Sequence, residues 1–441
     1  MQKTNWKDAY KAKLTTPQEA VKRIKSGDTV LLAHAAAEPK ALVEAMLDNY
    51  KEYSNVTISH MISLGEGRYS KPDMKDHFRY VGWFTDPSTR ASIHQGQGDF
   101  VPVFFSEIPG MIRSKTLPVD VFMVMVSQPD EEGICSVGVS CDYTMQAIKS
   151  AATVIAQINA EVPRVGGEAY VHIDAFDCIV EASHPLPEVF WGESDEKDVA
   201  IGRHCASLID DGATLQLGMG GIPNAVLAAL RNKKHLGIHS EMISDGAVEL
   251  IRAGVIDCSE KSIDRGKVVV NFLYGSKKLY DFVDNNPMIE LRPADYTNNP
   301  LVIRQNSKFV CINSAIEVDL WGQVNAGSLN GKIFSGVGGQ VDFIRGAAMS
   351  EDSRGIAIIA MHAAAVKKDG TKLSKIVGSL KAGTLVTTSQ HDVDYVITEY
   401  GIAGLKGKTV KERARLLIAI ADPDFREELA SAFEARFGEK Y

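Results

Sequence analysis

Along this chain, short runs rich in Val, Leu and Ile alternate with longer stretches in which apolar residues return every three to four positions. Residues 29–32 precede one such stretch at 39–47, and residues 213–217 precede another at 223–232. The short runs predict strands and the periodic stretches predict helices packed on one face. Strand–turn–helix order with short connections predicts a parallel α/β sheet, which takes its ligands at the carboxyl ends of its strands. The longest mainly apolar stretches, 119–126 and 355–366, are shorter than the roughly 20 residues of a membrane helix.

The pattern occurs twice. Ser26-Gly27-Asp28-Thr29-Val30 through Glu38-Pro39-Lys40-Ala41-Leu42 parallels Asp211-Gly212-Ala213-Thr214-Leu215 through Ile222-Pro223-Asn224-Ala225-Val226, with one residue of gap. Val137-Gly138-Val139-Ser140-Cys141-Asp142-Tyr143 parallels Val337-Gly338-Gly339-Gln340-Val341-Asp342-Phe343. Two ordered matches at similar offsets predict two homologous open-sheet α/β domains, 1–190 and 191–441, divided after the Pro-bearing stretch Ser183-His184-Pro185-Leu186-Pro187. The copies differ at the matched turns. The second has Gly218-Met219-Gly220-Gly221 and Gly336-Val337-Gly338-Gly339 where the first has His34-Ala35-Ala36-Ala37 and Val137-Gly138-Val139. Backbone can approach a ligand more closely in the second copy.

Composition narrows the partners. The 441 residues carry 48 Lys+Arg against 56 Asp+Glu, a formal net charge of −8, with no dense basic block, which argues against nucleic acid or an anionic membrane. Six cysteines without a C-x-x-C pair or zinc-like spacing read as reduced thiols, and the first residues lack a signal-peptide pattern, so a cytoplasmic protein is expected. No G-x-S-x-G elbow, H-E-x-x-H helix or P-loop is present, and no metal site is expected.

Four places could carry chemistry. Gly218-Met219-Gly220-Gly221-Ile222-Pro223 follows an apolar strand and opens a helix with Pro223 expected at its first position, so free N–H groups would face an anion or a developing oxyanion; its alternative is a tight turn needed for packing. It lacks the third glycine of a dinucleotide fingerprint. Ser335-Gly336-Val337-Gly338-Gly339-Gln340 could form an oxyanion hole, or a bend. Glu241, after a short apolar run, stands where α/β enzymes place reacting groups, though a solvated or cap-forming acid gives the same pattern. Glu317 is the rival nucleophile, and its alternative is a sheet-surface acid. His34 occupies the repeat position of Gly218 and could reach substrate or be structural; His239 and His391 are read with the same two alternatives.

At these residues the chain resembles the acetyl-CoA hydrolase/transferase family within the CoA-transferases, nearly end to end. The motifs include Ala33-His34-Ala35-Ala36-Ala37-Glu38-Pro39, Asp99-Phe100-Val101-Pro102, Gln216-Leu217-Gly218-Met219-Gly220-Gly221-Ile222-Pro223, His239-Ser240-Glu241-Met242-Ile243-Ser244-Asp245-Gly246, Gly336-Val337-Gly338-Gly339-Gln340 and Val396-Ile397-Thr398-Glu399-Tyr400-Gly401. The resemblance implies two NagB/RpiA-like α/β domains with a cleft between them. It makes Glu241 the nucleophile, and it assigns CoA contacts to Gly218, Met219, Gly220, Gly221, Ile222, Ile316, Gly336, Gly338 and Gly339, with His34, Gln216, Gly338 and Gly339 as substrate or oxyanion candidates. Ala35-Ala36-Ala37 departs from relatives, which carry a different small-residue run there.

The implied reaction moves CoA between acetyl- or butyryl-CoA and a carboxylic acid through an acyl-glutamyl anhydride and a glutamyl-CoA thioester. Coenzyme A is co-substrate and covalent intermediate, no tightly bound cofactor is expected, and the family implies a homodimer or homotetramer. Because His34 and Glu38 put polar groups where the second copy has its glycine turn, the expected acid is 4-hydroxybutyrate. An acyl-CoA hydrolase, a butyryl-CoA:acetate transferase and a non-catalytic CoA- or sugar-phosphate-binding sensor are the alternatives.

Overall fold

The computed structural model describes residues 6–190 and 192–441. They divide into two compact units, one of Met1–Phe190 with Val269–Thr297 and one of Trp191–Val268 with Asn298–Tyr441. The segment Val269–Thr297 groups with the first unit although it lies within the range expected for the second domain.

The first unit is built on a seven-stranded sheet. Its strands are β1 (Thr29–Leu32), β2 (Val56–Ser59), β3 (Phe78–Gly82), β4 (Asp99–Phe100), β5 (Val121–Val126), β6 (Thr153–Ile158) and β7 (Cys178–Glu181). They lie in the order β7-β6-β5-β1-β2-β3-β4, all parallel. β5 reads Val-Phe-Met-Val-Met-Val and is buried at every position, as a central parallel strand without a solvent face requires. Val30, Leu32, Met123 and Ile155 of the sheet pack with Leu42 and Met46 of the helix Lys40–Asp48.

A six-stranded sheet organises the second unit. Its strands are β8 (Thr214–Leu217), β9 (Gly237–Ile238), β10 (Phe309–Asn313), β11 (Ile356–Ala360), β12 (Tyr395–Thr398) and β13 (Gly401–Gly404), in the order β9-β8-β10-β11-β12-β13. Only the closing β12–β13 pair is antiparallel. Phe309, Cys311 and Ile359 of this sheet pack with Phe343 and Ile344 of the helix Gln340–Ala348.

In each sheet the strand order reverses beside the first strand. The chain leaves β1 toward β2 and returns on the other side at β5; it leaves β8 toward β9 and returns at β10. Parallel sheets open a ligand crevice at the carboxyl ends of the strands where the order reverses. His34 follows β1 and Gly218 follows β8, so both repeat positions stand at such a point.

One expected boundary changes. The helix after β8 spans Gly221–Ala229 with Gly220 as its N-cap, which places Pro223 third and not first. The first four N–H groups of a helix have no partner within it, so a proline is tolerated anywhere in that turn, and Gly220 at φ +116° sets the start instead. Among the described residues no helix is long and apolar enough to cross a membrane, and all six cysteines are buried and unbridged.

Candidate active site

In the second unit the candidate residues gather at the carboxyl ends of β8, β9 and β10. Gln216, near the end of β8, is buried, and its side-chain amide pairs with that of Asn313 at the end of β10. Asn313 Nδ2 donates to Gln216 Oε1 at 3.1 Å and Gln216 Nε2 donates to Asn313 Oδ1 at 3.4 Å. This double contact gives each buried amide group a partner across the two strand ends. Gln216 is thereby committed to Asn313 in this conformation.

Beyond Gln216 the chain enters the glycine turn. Gly218, Met219, Gly220, Gly221, Ile222, Pro223 and Asn224 are all half-exposed, between a buried strand and the buried Ala225-Val226-Leu227 of the helix. A Cβ added at Gly218 or Gly220 would meet no atom within 4 Å. The backbone of the turn is therefore open, and the N-terminus of a nine-residue helix lies behind it. Such an end offers free N–H groups and the positive end of the helix dipole to an anion.

Glu241 follows β9 and precedes the two-residue strand Met242–Ile243. It is half-buried, and its Oε2 accepts a hydrogen bond from Asn298 Nδ2 at 2.8 Å. Asn298 is fully buried. Gly339 packs on the same spot: a Cβ there would collide with both Glu241 Oε2 and Asn298 Nδ2 and come within 3.2 Å of Phe343 Cε2. Glycine is thus required at 339 by close approach to the carboxylate, and any side chain would displace it. Gly339 also caps the helix Gln340–Ala348, so the positive end of that helix adjoins Glu241. Gln340 ties the loop to the end of β10 by donating from Nε2 to Ser314 O at 3.0 Å.

Glu317 has a different amide partner. It begins the short strand Glu317–Asp319, which pairs with Val324–Asn325, and its Oε1 accepts from Asn325 Nδ2 at 3.0 Å. Ile316 donates its N–H to Asn325 O at 2.8 Å and is half-buried. The carboxylate beside both the glycine loop and a buried amide is Glu241.

His34 belongs to the first unit and is 1% exposed. Its Nδ1 lies 2.6 Å from Asp142 Oδ2, which also accepts from Ser140 Oγ at 2.7 Å. The ring is surrounded by Phe105, Tyr143 and Phe272, and Nε2 has no hydrogen-bond partner. Glu38 lines a groove of about 590 Å³ together with Ala35, Lys40, Arg68 and His184. Burial, helped by the nearby Asp86 charge, pushes its carboxyl up to about 7.

Asn298 was not among the residues singled out from sequence. It stands in Thr297-Asn298-Asn299-Pro300, where Asn299 caps the short helix Pro300–Ile303, so a turn signal masked its neighbour.

In the sheet of the second unit, an open glycine turn and a glutamate held by a buried amide thus stand at strand ends. The profile of the acetyl-CoA hydrolase/transferase N-terminal domain matches residues 1–189, and that of the C-terminal domain matches residues 275–433. The chain belongs to the acetyl-CoA hydrolase/transferase family and is an enzyme of the CoA-transferase type. It is 52% identical, over 98% of its length and 100% of the other chain, to the 4-hydroxybutyrate coenzyme A transferase of Clostridium kluyveri. It is 40% identical, over 98% of its length and 97% of the other's, to the succinyl-CoA:cyclohexane-1-carboxylate CoA transferase of Geobacter metallireducens. Among solved structures it matches the 4-hydroxybutyrate CoA-transferase of Porphyromonas gingivalis with a TM-score of 0.84 and 42% identity, covering 98% of this chain and all of that one.

Proposed function

We propose that this enzyme moves CoA between a short acyl-CoA, acetyl- or butyryl-CoA, and 4-hydroxybutyrate, with Glu241 as the nucleophile. The observation that carries the reading is the packing of Gly339 and the Asn298 amide on one oxygen of Glu241.

Glu241 attacks the acyl carbonyl, the C–S bond breaks, and CoA leaves as its thiolate from a mixed anhydride. The thiolate attacks the glutamyl carbonyl of the anhydride, the first acid departs as a carboxylate, and an enzyme–CoA thioester remains. A second carboxylate attacks that thioester, again releasing thiolate, and the thiolate then takes the new acyl group and frees Glu241. One thioester replaces another, so no external energy source enters. Each attack passes through an oxyanion. The N–H groups of Gly338 and Gly339 are assigned to it, with the Asn298 amide beside Gly339, and one such donor is typically worth about 3 kcal/mol.

CoA is assigned to the open turn Gly218–Gly221, and the family resemblance adds Ile222, Ile316, Gly336, Gly338 and Gly339 to its contacts. The openness of Gly218 and Gly220 supports this. His34 is assigned to the acid by the family resemblance; its ring is held by Asp142 and enclosed by Phe105, Tyr143 and Phe272, so its effect on acid choice would run through the packing of the turn after β1. The identity with the Clostridium kluyveri enzyme supports the same acid.

The test is a panel of acceptor acids with acetyl-CoA and butyryl-CoA as donors. The proposal expects kcat/KM for 4-hydroxybutyrate to exceed that for butyrate, and CoA release without acceptor to be slow beside transfer. Equal rates with and without acceptor would make the enzyme a hydrolase, and a preference for butyrate would remove the hydroxyl assignment.

A further inference from the structure

The open face of the glycine turn has a braced underside. The helix Glu196–Ser207 packs along the helix Gly221–Ala229 so closely that a Cβ at Gly202 would strike the backbone of Ala225. Its first turn meets the glycine turn directly. Ser194 Oγ donates to Gly221 O at 2.9 Å, and a Cβ at Gly221 would collide with Asp198 Oδ2.

Asp198 is 8% exposed. Its Oδ2 accepts from Asp195 N at 3.2 Å, completing the helix cap, and its Oδ1 lies 2.8 Å from His362 Nε2. His362 stands just past β11. Its neighbour Ala363 donates its N–H to Glu399 Oε2 at 2.8 Å, and Glu399 Oε1 lies 3.1 Å from Lys197 Nζ. Two consecutive residues of one helix, Lys197 and Asp198, are therefore tied to the segment after β11, Asp198 directly through His362 and Lys197 through Glu399. The helix cap and the imidazole account for both Asp198 oxygens, so the Asp195–Asp198–His362 cluster is read as a brace.

We propose that Asp198 and His362 are positioning residues for acyl-CoA, acting through Gly221; this rests on the reading of Gly218–Gly221 as the CoA turn. Gly218 and Gly220 have nothing packed where a side chain would be, so the conformation of the turn depends on the side that Asp198 touches. His362 fixes the rotation of the Asp198 carboxylate, and Asp198 fixes the height of Gly221 and of the helix N–H groups that follow it. Glu241, Asn298 and Gly339 are not part of this brace, so chemistry at saturating acyl-CoA is untouched by it. A residue that only caps a helix would act on stability alone.

The experiment measures KM for acyl-CoA, KM for the acid, kcat and Tm in Asp198→Ala, His362→Ala, His362→Gln, Gly221→Ala, Gly220→Ala and the double variant Gly221→Ala/Asp198→Ala. The expectation is a KM for acyl-CoA raised about tenfold in Asp198→Ala and His362→Ala, with kcat within about twofold and the KM of the acid unchanged. His362→Gln, which keeps a donor toward Asp198, recovers most of the affinity. Adding Asp198→Ala to Gly221→Ala relieves the collision, so the double variant binds acyl-CoA no worse than Gly221→Ala alone. If Tm falls while KM for acyl-CoA stays at the parent value in both Asp198→Ala and His362→Ala, and Gly220→Ala still raises it, the pair only caps the helix and the proposal is overturned with the CoA turn intact. If Gly220→Ala shifts the KM of the acid in place of that of acyl-CoA, the CoA turn itself is misassigned and the brace falls with it.

Discussion

The turn after β1 and the turn after β8 occupy the same place in two similar sheets, yet one is filled and the other is open. After β1, His34, Ala35, Ala36 and Ala37 are each 1% exposed, and Ala35 adopts φ +53°, which an L-residue rarely takes. After β8, Gly218 and Gly220 have empty space where a Cβ would stand. The second matched loop repeats the contrast. Gly138 and Gly338 share a left-handed backbone, φ +61° and +55°, which supports the repeat seen in sequence. Val139 is buried, whereas its counterpart Gly339 leaves room for a carboxylate and an amide. The first copy spends its switch point on a buried His34–Asp142–Ser140 cluster, while the second keeps Glu241, Asn298 and open backbone there. Scaffold and switch point are common to both, and the presence or absence of a few Cβ atoms separates a packed turn from an open one.

The contrast can be broken most severely at Gly339. Gly339→Val should lower kcat by about a thousandfold, because its side chain displaces Glu241 and Asn298 and shifts the loop's N–H groups, while KM for acyl-CoA changes only a few-fold. The matched change in the first copy, Val139→Ala, should cost about 1–2 kcal/mol of stability and leave turnover near the parent level. Steady-state kinetics and urea melts on both variants make the comparison.

Asn298→Ala should lower kcat by about a hundredfold through loss of the hydrogen bond that orients Glu241, with the thermal midpoint measured alongside to separate catalysis from folding. A loss matched by a collapse in Tm would make Asn298 structural.

His34→Ala should narrow the preference for 4-hydroxybutyrate over butyrate by about tenfold, measured as the ratio of their kcat/KM values. An equal loss for both acids would assign His34 to structure or to CoA and leave the CoA-transferase function standing.

The smallest effect on turnover belongs to Glu38. Its folded carboxyl titrates near 7, above its unfolded value, so the native state binds the extra proton between these limits. Stability is then lost as pH rises through that window. Glu38→Gln should leave stability below pH 4 nearly unchanged and raise it at pH 8 by on the order of 2 kcal/mol. A parent and variant that melt in parallel from pH 4 to 8 would contradict this.

Much of this contrast was legible in the chain itself. The alternation of apolar runs and periodic stretches gave the parallel sheets, and the ordered matches around Gly138 and Gly338 gave the repeat. Glycine content separated the copies because Gly removes a side chain whatever its surroundings. Asn298 was hidden: its partner Glu241 is 57 positions away, and Asn before Asn-Pro reads locally as a turn. Asp198 was hidden for a similar reason, since an acid in the first turn of a helix is sufficiently explained by the cap it completes. The grouping of Val269–Thr297 with the first unit left no trace in composition. Contacts between distant polar residues carry no periodicity, and periodicity is what a single sequence displays.

The central claim is that Glu241 forms the covalent bond to CoA. Incubation with acyl-CoA followed by borohydride reduces a glutamyl thioester to an alcohol, and peptide mass spectrometry locates it. The account predicts the reduced residue at Glu241, absent without acyl-CoA and absent in Glu241→Gln. Modification at Glu317, or none at any glutamate during active turnover, would contradict it.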